Sequence, residues 1–479
     1  MSEVDIEIIG EGEIGDKARQ LVEKTPKLRE IGFYAPRRFV LAEHFFDGFF
    51  QRNGLGNSLR DAHGSDLEER IKKGSMAREE FEALERVCSY YGDNPVIFRS
   101  SARGDASGTG VYESVVTNNH PSDRRRAMLK VLASYFSESA KLFRRDAKTG
   151  EGFGILIDPL MFNRLGLYGD FLAPLVSGHG YTSTLKGSGY IKIVPGFGGG
   201  VMSRDPLELK REDVEDIPFY EFLSKRREET EFLFYATSRN RAFMPQLLLG
   251  KNLTYNALAF YNGLVTKKNV HFSGELHKEL CNLDFLDLFL MMEKSEEEFG
   301  PQYFEFAVVA MDGQARYGLV QIDDAKKEPS SIVFSDYLPS IAEARDVAGT
   351  GVRNCSRIVY CGDSSCIPKL TKFNEEHSDY ILWYSPSLVS RKREIRYENV
   401  YNASVFLEIF SSGGRTASPI AHWGGQLEEA GKLFGVVTTD GLQCGDAEKE
   451  DCNGLTVYND RFRVIASERA DRLVVYNLG

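Results

Sequence analysis

The apolar positions of residues 1–60 switch between helical and strand spacing. The stretch "GDKARQLVEK" predicts a helix, "FYAPRRFVLA" a turn into a strand, and "EHFFDGFFQRNGL" a second helix closed by glycine. Leu67, Ile71, Met76, Phe81, Leu84 and Val87 then recur at helical intervals with polar residues between them, which predicts an amphipathic helix or helix pair. In "NPVIFRSSARGD" a buried strand of four residues runs into a polar loop that carries glycine. A helix is expected over 124–146 and a strand in "GFGILIDPLM". Glycine becomes dense over 178–200, which suits tight strand connections and close backbone approach to a ligand. "YFEFAVVAM" and "ARYGLVQID", separated by "DGQ", predict a β-hairpin.

The pattern changes after residues 323–331, "DDAKKEPSS", which are polar, charged and proline-containing and mark the main boundary. Beyond them "SRIVYCG", "YILWYSP", "ASVFLEIF", "FGVVTTDG", "LTVYND" and "RLVVYNL" are short strands with few helices between them. The expectation is an α/β (α+β) chain: a first domain over 1–325 and a compact, β-rich α/β domain over 326–479. There is no internal repeat and no low-complexity segment.

Composition narrows the classes. A chain of 479 residues is too long for one ordinary domain, and 42% hydrophobic with 27% charged residues is ordinary for a folded protein. A net charge of −11 argues against general affinity for nucleic acid or anionic membranes. Arg124, Arg125 and Arg126 form a local basic run, read as the solvated face of a helix. The acidic N-terminus has no signal-peptide core, and no apolar run has the length to cross a bilayer, so a cytoplasmic protein is expected. Of seven cysteines, Cys355, Cys361, Cys366, Cys444 and Cys452 fall in the last third with no Cys-x-x-Cys pair, which predicts reduced thiols rather than a zinc site.

Three separated pieces carry candidate chemistry. Lys17 follows a glycine at a helix start, where a cation and free backbone N–H groups meet phosphate well, although a lysine at such a position is common on any surface. Arg99 is delivered by a buried strand into the Ser/Gly-rich stretch "FRSSARGDASGTGVYES", a sensible mount for a bidentate phosphate donor and equally for a structural arginine capping a turn. Glu305 and Gln321 lie on the two strands of the hairpin, where a carboxylate and an amide oxygen suit Mg²⁺ that keeps some of its water.

Taken in order, these pieces resemble the N-terminal ATP-binding, ATP-grasp-type domain of the pyruvate phosphate dikinase and phosphoenolpyruvate synthase family, followed by that family's swivelling phosphohistidine domain. The resemblance runs over about residues 10–325 and rests on the glycine–lysine helix start, "PRRFVL", Arg99 to Ala102 as "RSSA" with "GVYES" behind it, "ASYFSESAKLFRR", "SGHGYTS", "FEFAV" and "LVQI". It implies ATP and Mg²⁺ as cofactors. Lys17 and Arg99 would contact the phosphates, Ser100, Ser101 and Thr182 would line the nucleotide, and Glu305 and Gln321 would hold the metal.

The same resemblance makes His422 the candidate phosphoryl carrier, because it stands nine residues before Gly431, as the family's histidine stands before its glycine turn. A neutral imidazole is a competent nucleophile near neutral pH. The chain departs from the family at Asp323, where an Arg is usual, at Gly199, where an acid is usual, at Ile420 and Ala421, which replace a Thr-Ser pair, and at Glu428, where an Arg is usual. Asp158, near the expected hinge, stands where the family often has Gln. The chain ends at Gly479 without room for the (β/α)₈ barrel of the larger enzymes, so a complete phosphoenolpyruvate synthase is not expected. The leading expectation is an ATP-dependent phosphotransferase acting through His422 on a small-molecule or protein acceptor. Direct transfer without a phosphohistidine, and a nucleotide-binding sensor or scaffold that has lost catalysis, are the alternatives.

Overall fold

A computed structural model describes residues 6–55, 65–104, 112–118, 120–147, 151–165, 171–184, 187–196, 207–216, 231–236, 254–261, 264–271, 283–312, 314–325, 334, 338, 340–362, 364–384, 397–409, 427, 430, 432–437, 448–452, 455–467 and 472–478. They form a mixed α/β protein with a distinct C-terminal β-barrel domain. No helix among the described residues is long and apolar enough to cross a membrane.

The first sheet has the order β1 (Ile6–Ile9), β2 (Arg38–Ala42), β5 (Phe153–Pro159), β3 (Val96–Ala102) and β4 (Ser114–Thr117). Side chains alternate across it, as strand geometry requires. Phe39, Leu41, Phe98, Ile155 and Ile157 enter a core shared with α2 (Asp47–Arg52), α3 (Ser65–Lys73), α4 (Arg78–Ser89), α5 (Pro121–Tyr135) and α6 (Glu138–Ala147). Val40 and Leu156 face the other way, toward α1 (Gly15–Ile31). That helix runs past the stretch read from sequence and through Pro26, because Leu21 and Leu28 are both fully buried in the core it shares.

Two expectations need correction here. The helix expected over 124–146 is two, α5 and α6, and the Ser137 hydroxyl accepts from Ala140 N at 3.1 Å to start the second. Arg124 is not solvated: it is buried and pairs with Glu85 at 2.6 Å, while Arg126 is exposed, so the basic run turns from a buried edge of the helix to its open face.

The second sheet is antiparallel throughout, in the order β10 (Leu207–Lys210), β9 (Gly187–Pro195), β8 (Val176–Thr184), β14 (Gln302–Met311), β15 (Gln314–Asp324). The hairpin read from "YFEFAVVAM" and "ARYGLVQID" is β14 and β15. The glycine-dense stretch forms long strands as well as connections. A Cβ on Gly178 would lie 2.6 Å from Lys192 O and one on Gly180 2.4 Å from Tyr190 O, so β8 and β9 approach where only glycine fits. One face of this sheet is sealed by α1 and by α8 (Phe285–Phe299), which Asp284 caps by accepting from Leu286 N at 2.9 Å. A third sheet has the order β13 (Leu264–His271), β12 (Thr254–Tyr261), β11 (Glu231–Ala236), β7 (Phe171–Ala173), β6 (Asn163–Leu165), and α7 (Arg211–Asp216) follows β10.

In the C-terminal part, β17 (Gly351–Cys361), β18 (Tyr380–Tyr384), β19 (Ala403–Ile409) and β20 (Leu433–Val437) run parallel. Antiparallel β16 (Ser340–Ala348), β23 (Arg472–Asn477) and β22 (Leu455–Ser467) complete the circuit, because β22 also pairs with β17. Only β21 (Glu448–Cys452), on the edge of β22, stays outside the ring of the eight-stranded sheet. Closure leaves no free edge within the ring. Ile381, Trp383, Val405, Leu407, Val464 and Val475 fill its interior. On the outside of the parallel strands, Tyr380, Leu382 and Phe406 pack under Leu370 and Phe373 of α9 (Ile367–Glu376), in a core continuous with the helices behind the first sheet. The Ser139 hydroxyl donates to Glu398 at 3.2 Å across that junction. Cys88, Cys355, Cys361 and Cys366 are buried free thiols, and burial pushes Cys88 and Cys355 up to about 12.

Candidate functional site

The second sheet meets the first along β15. Residues just after α1 make the join: Tyr34 N donates to Tyr317 O at 2.9 Å, and Leu319 N donates to Tyr34 O at 2.8 Å. Arg38, from β2, donates through Nη2 to Leu319 O. Lys24, buried on α1, donates to Gln302 Oε1 at 2.5 Å and pairs with Asp324 at 2.6 Å. These ties set β15 against the α1 face of the first sheet.

Arg99 crosses the join. On β3 it faces the same way as Leu156, its register partner on β5. Its Nη2 donates to Gln321 Oε1 at 2.8 Å and to Glu305 Oε2 at 3.3 Å, and Nη1 donates to Val320 O at 3.0 Å. Asp158 Oδ2 lies 3.5 Å from Nη1, while its Oδ1 accepts from Arg38 Nε at 2.7 Å. Gln321 Nε2 in turn donates to Asp323 Oδ2 at 2.5 Å. A continuous polar line thus runs Arg38–Asp158–Arg99–Glu305/Gln321–Asp323, and all but Glu305 are buried. The line carries two guanidinium groups and three carboxylates, so it has the charge to accept a further cation.

The sheet face beside it is ordered by register. One row reads Lys192, His179, Glu305, Gln321 across β9, β8, β14 and β15; the next reads Tyr190, Tyr181, Tyr303, Asp323. The tyrosine rings are neighbours, with centroids 5.6 Å apart for Tyr181 and Tyr190 and 5.2 Å for Tyr181 and Tyr303. Burial, with the Lys192 cation beside it, lowers His179 to about 3. Burial and the Glu305 charge hold Tyr303 well above its ordinary value.

Of the residues expected from sequence to bind nucleotide or metal, Arg99, Glu305 and Gln321 are in direct contact. Lys17 is buried in the first turn of α1. Ser101 shares the Arg99 face, and its hydroxyl accepts from Ala18 N at 3.0 Å, filling one of the open N–H positions of the helix start. Ser100 points to the opposite face of β3. Thr182 is buried and accepts from Gln302 N at 3.0 Å, which ties β8 to β14. His422, Gly199, Ile420, Ala421 and Glu428 lie outside the described residues.

Arg38, Tyr303 and His179 are members of the site that sequence reading did not single out, and Asp158 was read only as a hinge residue. Their signal is weak but physical: Tyr303 and Glu305 are two apart on one strand, and so are His179 and Tyr181.

Among the described residues no group of three or more His, Cys, Asp or Glu side chains is placed to hold a metal. The Glu305 and Gln321 oxygens nevertheless converge on one nitrogen, Arg99 Nη2. Two protein oxygens with the rest of the shell from water and phosphate is the usual provision for Mg²⁺, so the donor set fits that ion. No protein-family model matches the chain, and a search of curated proteins returns no match.

Proposed function

We propose that the chain is an ATP-dependent phosphotransferase, with Mg²⁺ATP held where the first two sheets meet. The observation that carries this reading is the convergence of Arg99 with Glu305 and Gln321, which stand 206 and 222 residues away in sequence and were each expected on chemical grounds at a nucleotide phosphate site. Mg²⁺ on Glu305 and Gln321 supplies charge neutralisation for the phosphates. Arg99 supplies a planar donor at the same point, and Lys17, in the first turn of α1, is the second cation of this reading. These groups position and neutralise rather than react.

The C-terminal barrel suits the carrier role expected of His422. Its parallel strands carry α9 outside and close on antiparallel strands, a layering that fits a swivelling phosphohistidine domain. His422 falls in the connection from β19 to β20, which are adjacent and parallel, and so in a segment that leaves the carboxyl end of a parallel strand. In the transfer a ring nitrogen of His422 forms the N–P bond as the phosphoanhydride P–O bond breaks, and the leaving oxygen keeps the electron pair.

A second reading, nucleotide binding without turnover, is favoured by Asp323: a buried carboxylate one contact from Gln321 opposes phosphate. ATP labelled separately at the β- and γ-phosphates separates the two. Acid-labile, base-stable label on the wild type and not on His422→Ala, with AMP released, is the expected result. Measurable ATP binding with no label on either protein would leave the binding-only reading standing and remove the phosphohistidine.

A further inference from the structure

The Glu305 carboxylate is gripped from both sides. Arg99 donates to Oε2 at 3.3 Å, and the Tyr303 hydroxyl donates to Oε1 at 3.4 Å. The same hydroxyl lies 3.3 Å from His179 Nδ1. Tyr303 is two residues from Glu305 on β14, and His179 is the register partner of Glu305 on β8, so all three project from one sheet face. Both contacts of the hydroxyl are long but within hydrogen-bonding reach.

The direction of this short chain follows from donor counting. The carboxylate paired with Arg99 only accepts, so the single Tyr303 proton goes to it. The hydroxyl then has only lone pairs to offer His179, which places the imidazole proton on Nδ1 and the free lone pair on Nε2.

We propose that Tyr303, backed by His179, is a positioning residue that fixes the Glu305 carboxylate for a divalent cation. The inference rests on the reading of Glu305 and Gln321 as metal ligands. In the structure Arg99 Nη2 engages both of the oxygens a cation would use, so cation and guanidinium compete for the same pair. A carboxylate held only by Arg99 would turn with whichever won. Tyr303 holds the other oxygen, so the carboxylate stays in place while its partner changes. Hydrogen-bonding groups behind a metal ligand commonly set affinity by about 10–100-fold.

Mn²⁺ titration of the full-length protein, followed by electron paramagnetic resonance with and without a non-hydrolysable ATP analogue, tests this without any turnover. Tyr303→Phe keeps the ring against Tyr181 and removes only the hydroxyl. It is expected to weaken Mn²⁺ binding about 10–100-fold with the thermal midpoint nearly unchanged, whereas Glu305→Gln abolishes tight binding. Tyr303→Phe binding as tightly as wild type, with Glu305→Gln defective, overturns the positioning role and leaves the metal site standing. Wild type that binds no Mn²⁺, or Glu305→Gln that binds like wild type, overturns the metal reading and the positioning role with it.

Discussion

The polar join between the first two sheets, open to water at Glu305, and the closed interior of the C-terminal barrel are filled in opposite ways. The barrel is packed with Ile381, Trp383, Val405, Leu407, Val464 and Val475, and its ring of strands satisfies its own backbone. The join holds Arg38, Asp158, Arg99, Gln321 and Asp323, taken from both sheets, and every contact in it depends on another. Burying such groups costs free energy that an apolar core would not. The barrel shows that apolar packing alone can close such a region, and the ligand site proposed above lies in the polar join instead.

The sharpest way to break this contrast is to unbalance the join. Asp158→Ala leaves Arg38 Nε and Arg99 Nη1 without the carboxylate between them, in a place where Arg38 is 1% exposed and its Nη1 already lacks a hydrogen-bond partner among the described residues. Urea unfolding is expected to show a loss of about 3–5 kcal/mol. A loss under about 1 kcal/mol would mean that water or a rearranged side chain already supports the two arginines.

The barrel gives the opposite expectation. Trp383 is fully buried in the apolar interior and its indole Nε1 has no hydrogen-bond partner among the described residues. Trp383→Phe leaves a small void but also removes that unpaired N–H, whose burial costs about 1–3 kcal/mol. The expected net change is about 1 kcal/mol or less, far below the roughly 3–5 kcal/mol of truncating a core aromatic to alanine. A loss as large as that of Asp158→Ala would erase the distinction between the two regions.

How far each region was legible from sequence follows the same division. The β14–β15 hairpin and the strands β17 to β20 were readable because large apolar residues mark their faces. β16 was not: Ala342 and Ala344 face the barrel interior between Glu343 and Arg345, and alanine is too small to stand out as a periodic signal. At the site, residue chemistry and the order of the pieces brought out Arg99, Glu305 and Gln321. No local pattern announces that Arg38 and Asp158, 120 residues apart, form a buried pair. Arg124 misled for the same reason, since a charge run in sequence does not reveal the partner that buries it.

The smallest effect expected comes from His179, at the rim of the join. Its folded value of about 3 lies below the ordinary value of about 6.5 for an exposed histidine, because burial and Lys192 disfavour the charged ring. Between those two values the unfolded chain binds a proton that the folded chain refuses. Stability is therefore complete above about pH 6.5 and is lost progressively as the pH falls toward 3. His179 is only half-buried and faces Glu305 as well as Lys192, so part of this cost is relieved by water and by the carboxylate, and the loss is smaller than that of Asp158→Ala. His179→Gln keeps a polar side chain of similar reach that does not titrate. Comparing the two proteins in urea from pH 7 to pH 4 is expected to show a shallower decline for the variant. Parallel declines would mean that the ring takes up its proton in place, and that the barrier to charge along this sheet face ends before His179.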